Sequence, residues 1–258
     1  MNTMRVEDFT VLGRTVPEES RKYGKRVCMA GYSPENNQLL RVYPLMVPVG
    51  DNADANGFRA RFRYTMELQR NASDSRTESW RLVDEQKPTA TEWSRAVETP
   101  KAKVVDWLDR HVTRSIKALN ECKLSLGVIR LEQGLWDGYA VAREATGHGE
   151  EHRGLFDDLD DQQGIDANAV KFAPYIRFTD ADGEHNLQVR EWGAYRLLSN
   201  PQYADTPDSL WTANAYRKDR GKLLVVGNMC NHRSNWLIIK TFDLDPVSTT
   251  PGLFDDLE

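Results

Sequence analysis

The sequence predicts a mostly β protein with a few helices, built as two small β-barrels in tandem. Three observations carry that expectation. Short alternating apolar segments recur along the 258 residues, separated by turn-forming stretches. Helical periodicity is confined to a few short segments. The pattern of short strands, one or two helices and a closing hairpin occurs twice, on either side of an acidic stretch.

The first strand pair lies in "RVCMAGYSPENNQLLRVYPL", Arg26–Leu45. Val27 and Met29 alternate with Cys28, Ala30 and Tyr32; Leu40 and Val42 alternate with Leu39, Arg41 and Tyr43. The polar "SPENNQ" between them is a hairpin turn, and Pro44 ends the pairing or marks an edge. Phe58–Arg70 reads as one long strand with an apolar face and a row formed by Arg59, Arg61 and Arg63. From Pro100 onward, Val104, Trp107, Leu108, Val112, Ile116 and Leu119 fall on one face of a single helix. Ser125–Leu131 and Gly138–Ala142 are further strands.

Residues 1–142 therefore form the expected first barrel with an inserted helix, and 143–167 an acidic linker. Residues 168–245 are the expected second barrel, with strands in "KFAPYIRFTD" and "HNLQVRE" around a Gly183 turn. A short helix follows in "EWGAYRLLSN", then a hairpin in "KLLVVGNMCNHRSNWLIIKTFDL". Residues 246–258 are an acidic tail.

Composition narrows the function classes. No run approaches the roughly 20 apolar residues of a membrane helix. The N-terminus carries an early Glu-Asp pair and no apolar signal region, so a cytoplasmic location is expected. Cys28, Cys122 and Cys230 stand far apart, which suits a reducing compartment and disfavours a disulfide framework or a thiolate zinc site. Net charge is −5, but Glu144–Asp166 carries −7 and Asp243–Glu258 carries −5, leaving +7 on the remainder. If those stretches are linker and tail, the folded body is basic.

Arg41 and Tyr43 share one side of their strand, a cation and an aromatic of the kind that track phosphates and stack on bases. The other reading pairs Arg41 with Asp74 or Glu78 as structural glue and leaves Tyr43 to packing. In "NASDSRTESW", Asp74 and Ser75 suit a turn, Arg76 suits a phosphate contact, and Trp80 suits either a base or the core. His232 and Arg233, at the tip of the last hairpin, suit a phosphate or base edge, or simply a solvated turn. The hexapeptide GLFDDL occurs at Gly154–Leu159 and Gly252–Leu257. Leu155, Phe156, Leu253 and Phe254 would anchor it on a protein partner; an intramolecular cover over a basic face and coincidence are the other readings.

"KYGKRVCMAGY", "LLRVYPL" and "SDSRTESW", in that order, resemble the dual OB-domain proteins of bacteria and phages, a family associated with nucleic-acid modification. The matching residues are Lys22, Tyr23, Cys28, Gly31, Arg41, Tyr43, Pro44, Asp74, Arg76, Glu78, Ser79 and Trp80. The second half bears a looser likeness in "KFAPYIRF", "REW" and "VVGNMCNHRSNWLII". The resemblance implies two OB-like barrels and a role on nucleic acid near DNA modification or phage defence; it does not supply a catalytic centre.

No phosphate-binding Gly loop, zinc-hydrolase helix, zinc deaminase signature or nucleophile elbow is present in the sequence. No cofactor or metal is expected. The leading expectation is a nucleic-acid-binding protein, DNA or RNA, contacting its ligand through Arg26, Arg41, Tyr43, Arg61 and Arg76 in the first barrel and His232 and Arg233 in the second. A nucleic-acid-processing enzyme with an unrecognised metal or acid–base site is one alternative; an adaptor working through GLFDDL is the other.

Overall fold

The computed structural model describes residues 3–20, 24–46, 58–72, 74–83, 96–142, 170–200, 206–212, 216–229 and 232–244. Lys22, Tyr23, both GLFDDL copies, and the expected linker and tail lie outside the described residues.

The first sheet closes on itself. It is built from β1 (Thr3–Arg14), β2 (Glu18–Ser20), β3 (Gly24–Ser33), β4 (Gln38–Met46), β5 (Arg63–Arg70) and β6 (Ser79–Leu82). β1 pairs antiparallel with both β3 and β5, and β4 runs parallel to β6, so five strands form a barrel with β2 added on β3. This is the connectivity of an OB-type Greek-key barrel. Register shifts in β1 between Val6 and Phe9 and between Val11 and Gly13 let one strand serve both neighbours. Val6, Phe9, Met29, Val42, Leu68 and Trp80 fill the interior. Gly31 permits that filling, because a Cβ there would overlap the Phe9 ring.

The second half uses β7 (Leu126–Leu131), β8 (Trp136–Ala142), β9 (Phe172–Asp180), β10 (Gly183–Gln188), β11 (Lys222–Asn228) and β12 (Trp236–Asp243). They form two three-stranded sheets, β10-β9-β8 and β12-β11-β7, linked by a parallel bridge from Val189 to Ile238. With β7 and β8 taken as one bent first strand, the connectivity matches the first barrel. Helix α3 (Trp192–Ser199) and the 3-10 turn at Pro207–Thr212 add Tyr195, Leu198, Leu210 and Trp211 to the core of this half. Here Trp211 packs edge-on against Trp136 and Tyr216.

Strand pairing moves one expected boundary. Residues 126–142 pair with β11 and β9 and belong to the second barrel, not the first. The acidic segment therefore joins β8 to β9, within one barrel, where an inter-barrel linker was expected. Asp243, counted with the acidic tail, is a buried β12 residue whose carboxylate is ion-paired to Lys222.

Two other elements are broken where the sequence reads as continuous. The helix from Pro100 is two helices, α1 (Lys101–Asp109) and α2 (Ile116–Glu121). Between them Val112 bridges to Val128, and Ser115, in extended backbone, accepts the Ala118 N–H and starts α2. The periodicity crosses this break although the helices face different apolar layers: Val104, Trp107 and Leu108 pack between the barrels, and Ile116 and Leu119 pack in the core of the second. The strand from Phe58 begins only at Arg63, since Arg61 has φ 69° and turns the chain.

The barrels meet through a third apolar layer. Leu12, Ala30 and Tyr32 leave the outer face of the first barrel and pack on α1 and on β7, β11 and β12. Tyr32 lies 5.0 Å from Trp107 of α1, ring to ring. β3 is thus buried on both faces, which explains why both of its alternating sets are apolar.

Replacing Gly31 by Ala drives a methyl group into the Phe9 ring. Urea unfolding is expected to show a loss of about 1–3 kcal/mol, the usual cost of overpacking a filled core.

Candidate nucleic-acid interface

Strand β4 carries Arg41 inward to the seam between the barrels, against the expectation that it faces solvent. Its residue is 4% exposed. Arg41 Nη1 donates to the Asn228 carbonyl at 3.0 Å, Nη2 donates to the Ser125 carbonyl, and Cys28 Sγ lies 3.8 Å from Nη1. Burial pushes the Arg41 pKa down, partly offset by nearby carboxylates. The β7–β11 sheet lies over the outer side of β3 and β4, and its peptide carbonyls take the place a phosphate was expected to fill.

Arg76 is the second correction. It is 5% exposed, and its Nη1 donates to the same Asn228 carbonyl at 2.8 Å. Its other side meets Asp74, with Nε to Oδ1 at 2.8 Å and Nη2 to Oδ2 at 2.5 Å. Ser79 Oγ donates to Asp74 Oδ2 at 2.6 Å. Asp74 therefore pairs with Arg76 rather than with Arg41. Glu78 reaches across the seam, accepting the Ser125 N–H and hydroxyl at 2.9 Å each. Trp80 is core, with the Arg70 guanidinium 4.0 Å over its ring.

The hairpin tip and the β5–β6 loop, separate in the sequence, come together here. Asn228 Nδ2 donates to the Arg233 carbonyl at 3.1 Å, and Arg233 Nη2 donates to Ser75 Oγ at 2.7 Å. His232 and Arg233 are exposed on this rim, and Tyr43 is half-buried. The Tyr43–Pro44 peptide is cis, and the Tyr43 carbonyl accepts from Asn71 Nδ2 at 3.1 Å. Arg26 is half-buried on β3, paired in register with Glu18 and Met46.

A second stitch lies further along the same contact. Val16 N–H donates to the Arg190 carbonyl at 2.8 Å, and Thr15 bridges to Glu191. Glu191 is buried, ion-paired to Lys240, and accepts the Thr241 N–H at 3.0 Å. Its charge adds to burial in pushing the Tyr216 hydroxyl well above its usual pKa.

Several cations of the first barrel lie where β1 ends and β5 begins, while Arg5, Arg70 and Arg81 are exposed elsewhere on it. Arg61 sits at the turn, its side chain 37% exposed and ion-paired to Glu98; Arg63 lies 3.4 Å from Asp8. The Arg59 guanidinium lies 3.6 Å over Phe62, and that of Arg14 lies 4.3 Å over Trp192. Phe58 meets Tyr64 edge-on at 5.0 Å, and the Tyr64 hydroxyl accepts the Arg59 N–H at 3.1 Å. The expected linear row of arginines is thus a turn in which guanidinium groups and aromatic rings alternate. Arg14 and Trp192 were missed; they lie 178 residues apart in sequence, and only the closed fold joins them. Among the described residues, no cluster of three or more His, Cys, Asp or Glu side chains could hold a metal ion.

Burial pushes the Asp74 carboxyl up, but the hydrogen bonds and charge of Arg76 and the bond from Ser79 outweigh it and lower the pKa to about 2. A depressed carboxyl pKa stabilises the fold above the unfolded value and loses that contribution as pH falls through the folded one. Stability is therefore expected to drop by about 2 kcal/mol from this group between roughly pH 5 and pH 2. Asp74→Asn should flatten that part of the urea-midpoint profile. Arg76→Met leaves Asp74 buried and unpaired, and chemical unfolding at pH 7 should show a loss of about 3–5 kcal/mol.

Residues 5–111 match the family model of a domain of unknown function, DUF8758. A search of curated proteins finds no match. The matched stretch spans β1–β6 and α1 and stops before β7, the same division that strand pairing makes between the barrels.

Proposed function

We propose that this protein binds nucleic acid, as the resemblance to dual OB-domain proteins implies, and acts as a recognition component in the cytoplasm near DNA modification or defence. The observation that carries this reading is the guanidinium–aromatic turn formed by Arg59, Phe62 and Arg61, with Arg14 beside it over the buried Trp192 ring. Phosphates attract guanidinium groups over long range, and bases stack on the rings and guanidinium planes between them. The ion pairs of Arg61 with Glu98 and Arg63 with Asp8 are not an obstacle. Exposed pairs contribute roughly 0–1 kcal/mol, so phosphate can displace the carboxylates at small cost. Two OB-like barrels offer suitable scaffolding, since barrel loops and faces of this type hold oligonucleotides. Arg233 and His232, on the other rim, would extend the track.

The test is fluorescence anisotropy with a labelled 20-mer at several salt concentrations. Wild-type affinity should fall as salt rises. Arg59→Glu with Arg61→Glu should weaken binding about tenfold or more and reduce the log–log salt slope by about 1–2. No binding by the wild type at low salt removes the proposal.

A further inference from the structure

We propose that the outer face of β8–β9–β10 is a stacking platform for unpaired bases, with Tyr139 and Tyr175 as its rings and Arg177 as its phosphate contact. The inference rests on the nucleic-acid reading and adds a second surface, on the other barrel, with a preference for single strands.

The two barrels share one connectivity, so their corresponding faces can be compared. On the first barrel, the outer face of β3 and β4 is occupied by the chain itself: Tyr32 packs against the Trp107 ring, and Arg41 donates to two peptide carbonyls. That face receives a flat ring and oxygen acceptors. On the second barrel, the corresponding strands are β9 and β10, with β8 alongside. Trp136, Ile176, Phe178 and Leu187 point inward to the core. By alternation, Asp137, Tyr139, Tyr175 and Arg177 point outward.

The outward residues are arranged as directly opposed pairs. Tyr139 is opposite Tyr175 and Asp137 is opposite Arg177. The tyrosine rings are stacked, 5.7 Å between centroids and 18° from parallel, and both keep partial exposure. The Arg177 side chain is 63% exposed, and its guanidinium lies 3.7 Å from Asp137. Lys218 meets the same carboxylate at 3.0 Å, so two cations share Asp137, and the exposed Glu184 of β10 lies on the same side of the sheet. Aligned rings beside an exposed guanidinium suit a strand whose bases are free to stack while its phosphates lie alongside. A duplex keeps its bases stacked on one another and offers this face only backbone.

The occupant is a single-stranded polynucleotide. DNA and RNA share the chemistry, and the assay separates them. Full-length protein is titrated against labelled dT20, rU20 and a 20-base-pair duplex. Tyr139→Ala with Tyr175→Ala is expected to weaken binding to at least one single strand by about tenfold or more, with duplex binding unchanged. Tyr139→Phe with Tyr175→Phe keeps the rings and should bind as wild type; its retained affinity separates lost stacking from a damaged fold. Arg177→Glu should weaken single-strand binding and lower its salt slope.

Single-strand binding unchanged in the Ala variant, while Arg59→Glu with Arg61→Glu still weakens it, overturns the platform and leaves the nucleic-acid reading standing. Equal losses for single strand and duplex, or equal losses in the Ala and Phe variants, also overturn it. A wild type that binds none of the three probes overturns both.

Discussion

One peptide oxygen, the carbonyl of Asn228, governs how the two halves of the molecule meet. It accepts from two buried guanidinium groups, Arg41 on β4 and Arg76 on the β5–β6 loop. An arginine stays charged in a protein interior, so its burial is tolerated only where acceptors surround it. Arg41 has peptide carbonyls of the second barrel on both Nη atoms, though its buried Nε meets no acceptor, and Arg76 has Asp74 and the same Asn228 oxygen. Moving the barrels apart would remove acceptors from two buried charges at once. The apolar layer of Leu12, Tyr32, Trp107, Val128 and Leu223 supplies contact area between the barrels. The arginines set the register of that contact, because hydrogen-bond geometry is far less forgiving than apolar packing.

The same constraint explains what was legible in the sequence. Strand positions were readable, since alternation in Val27–Tyr32 and Leu39–Leu45 reports a pleated chain whichever face is solvated. The closing hairpin and the short helix at Trp192 were readable for the same local reasons. The 12-residue β1 was not read, because its register shifts break the alternation that would reveal it. What lies opposite a face was not readable at all. Arg41 and Tyr43 share a side of β4, yet Arg41 is deeply buried and Tyr43 half-exposed. The difference comes from Ser125 and Asn228, 84 and 187 residues away from Arg41. The possibility of structural glue was visible in "SDSRTESW", but its wiring was not: Asp74 takes Arg76, and Arg41 takes carbonyls. A nearby carboxylate within the same loop reaches its arginine with less loss of chain freedom than a distant one does.

Residues 126–142 illustrate a related limit. Nothing local marks where one barrel ends, since β7 and β8 are ordinary strands by composition. Their membership is decided by pairing with β11 and β9, across gaps of roughly 90 and 35 residues. Acidic composition was a poor guide to domain division for a physical reason. Acidic composition interrupts the apolar pattern, and a connection inside one barrel does that as readily as a linker between two.

An arginine beside an aromatic ring is therefore ambiguous in this chain until its neighbours are known. At the seam, the Arg41 guanidinium meets peptide carbonyls and the Tyr32 ring meets Trp107, both inside the molecule. At the β1–β5 end and on β8–β9, the same chemistry faces outward: Arg59 on Phe62, and Arg177 beside the tyrosine pair. The difference is the partner's position, not the residue type. A buried guanidinium meets acceptors fixed by the fold and resists exchange, because leaving them strands a charge. An exposed one meets carboxylates that water already screens, and it can trade them for phosphate at little cost. The internal contact shows which groups an OB-type face accommodates in this protein, and the outward ones retain the freedom to accommodate such groups from a second molecule.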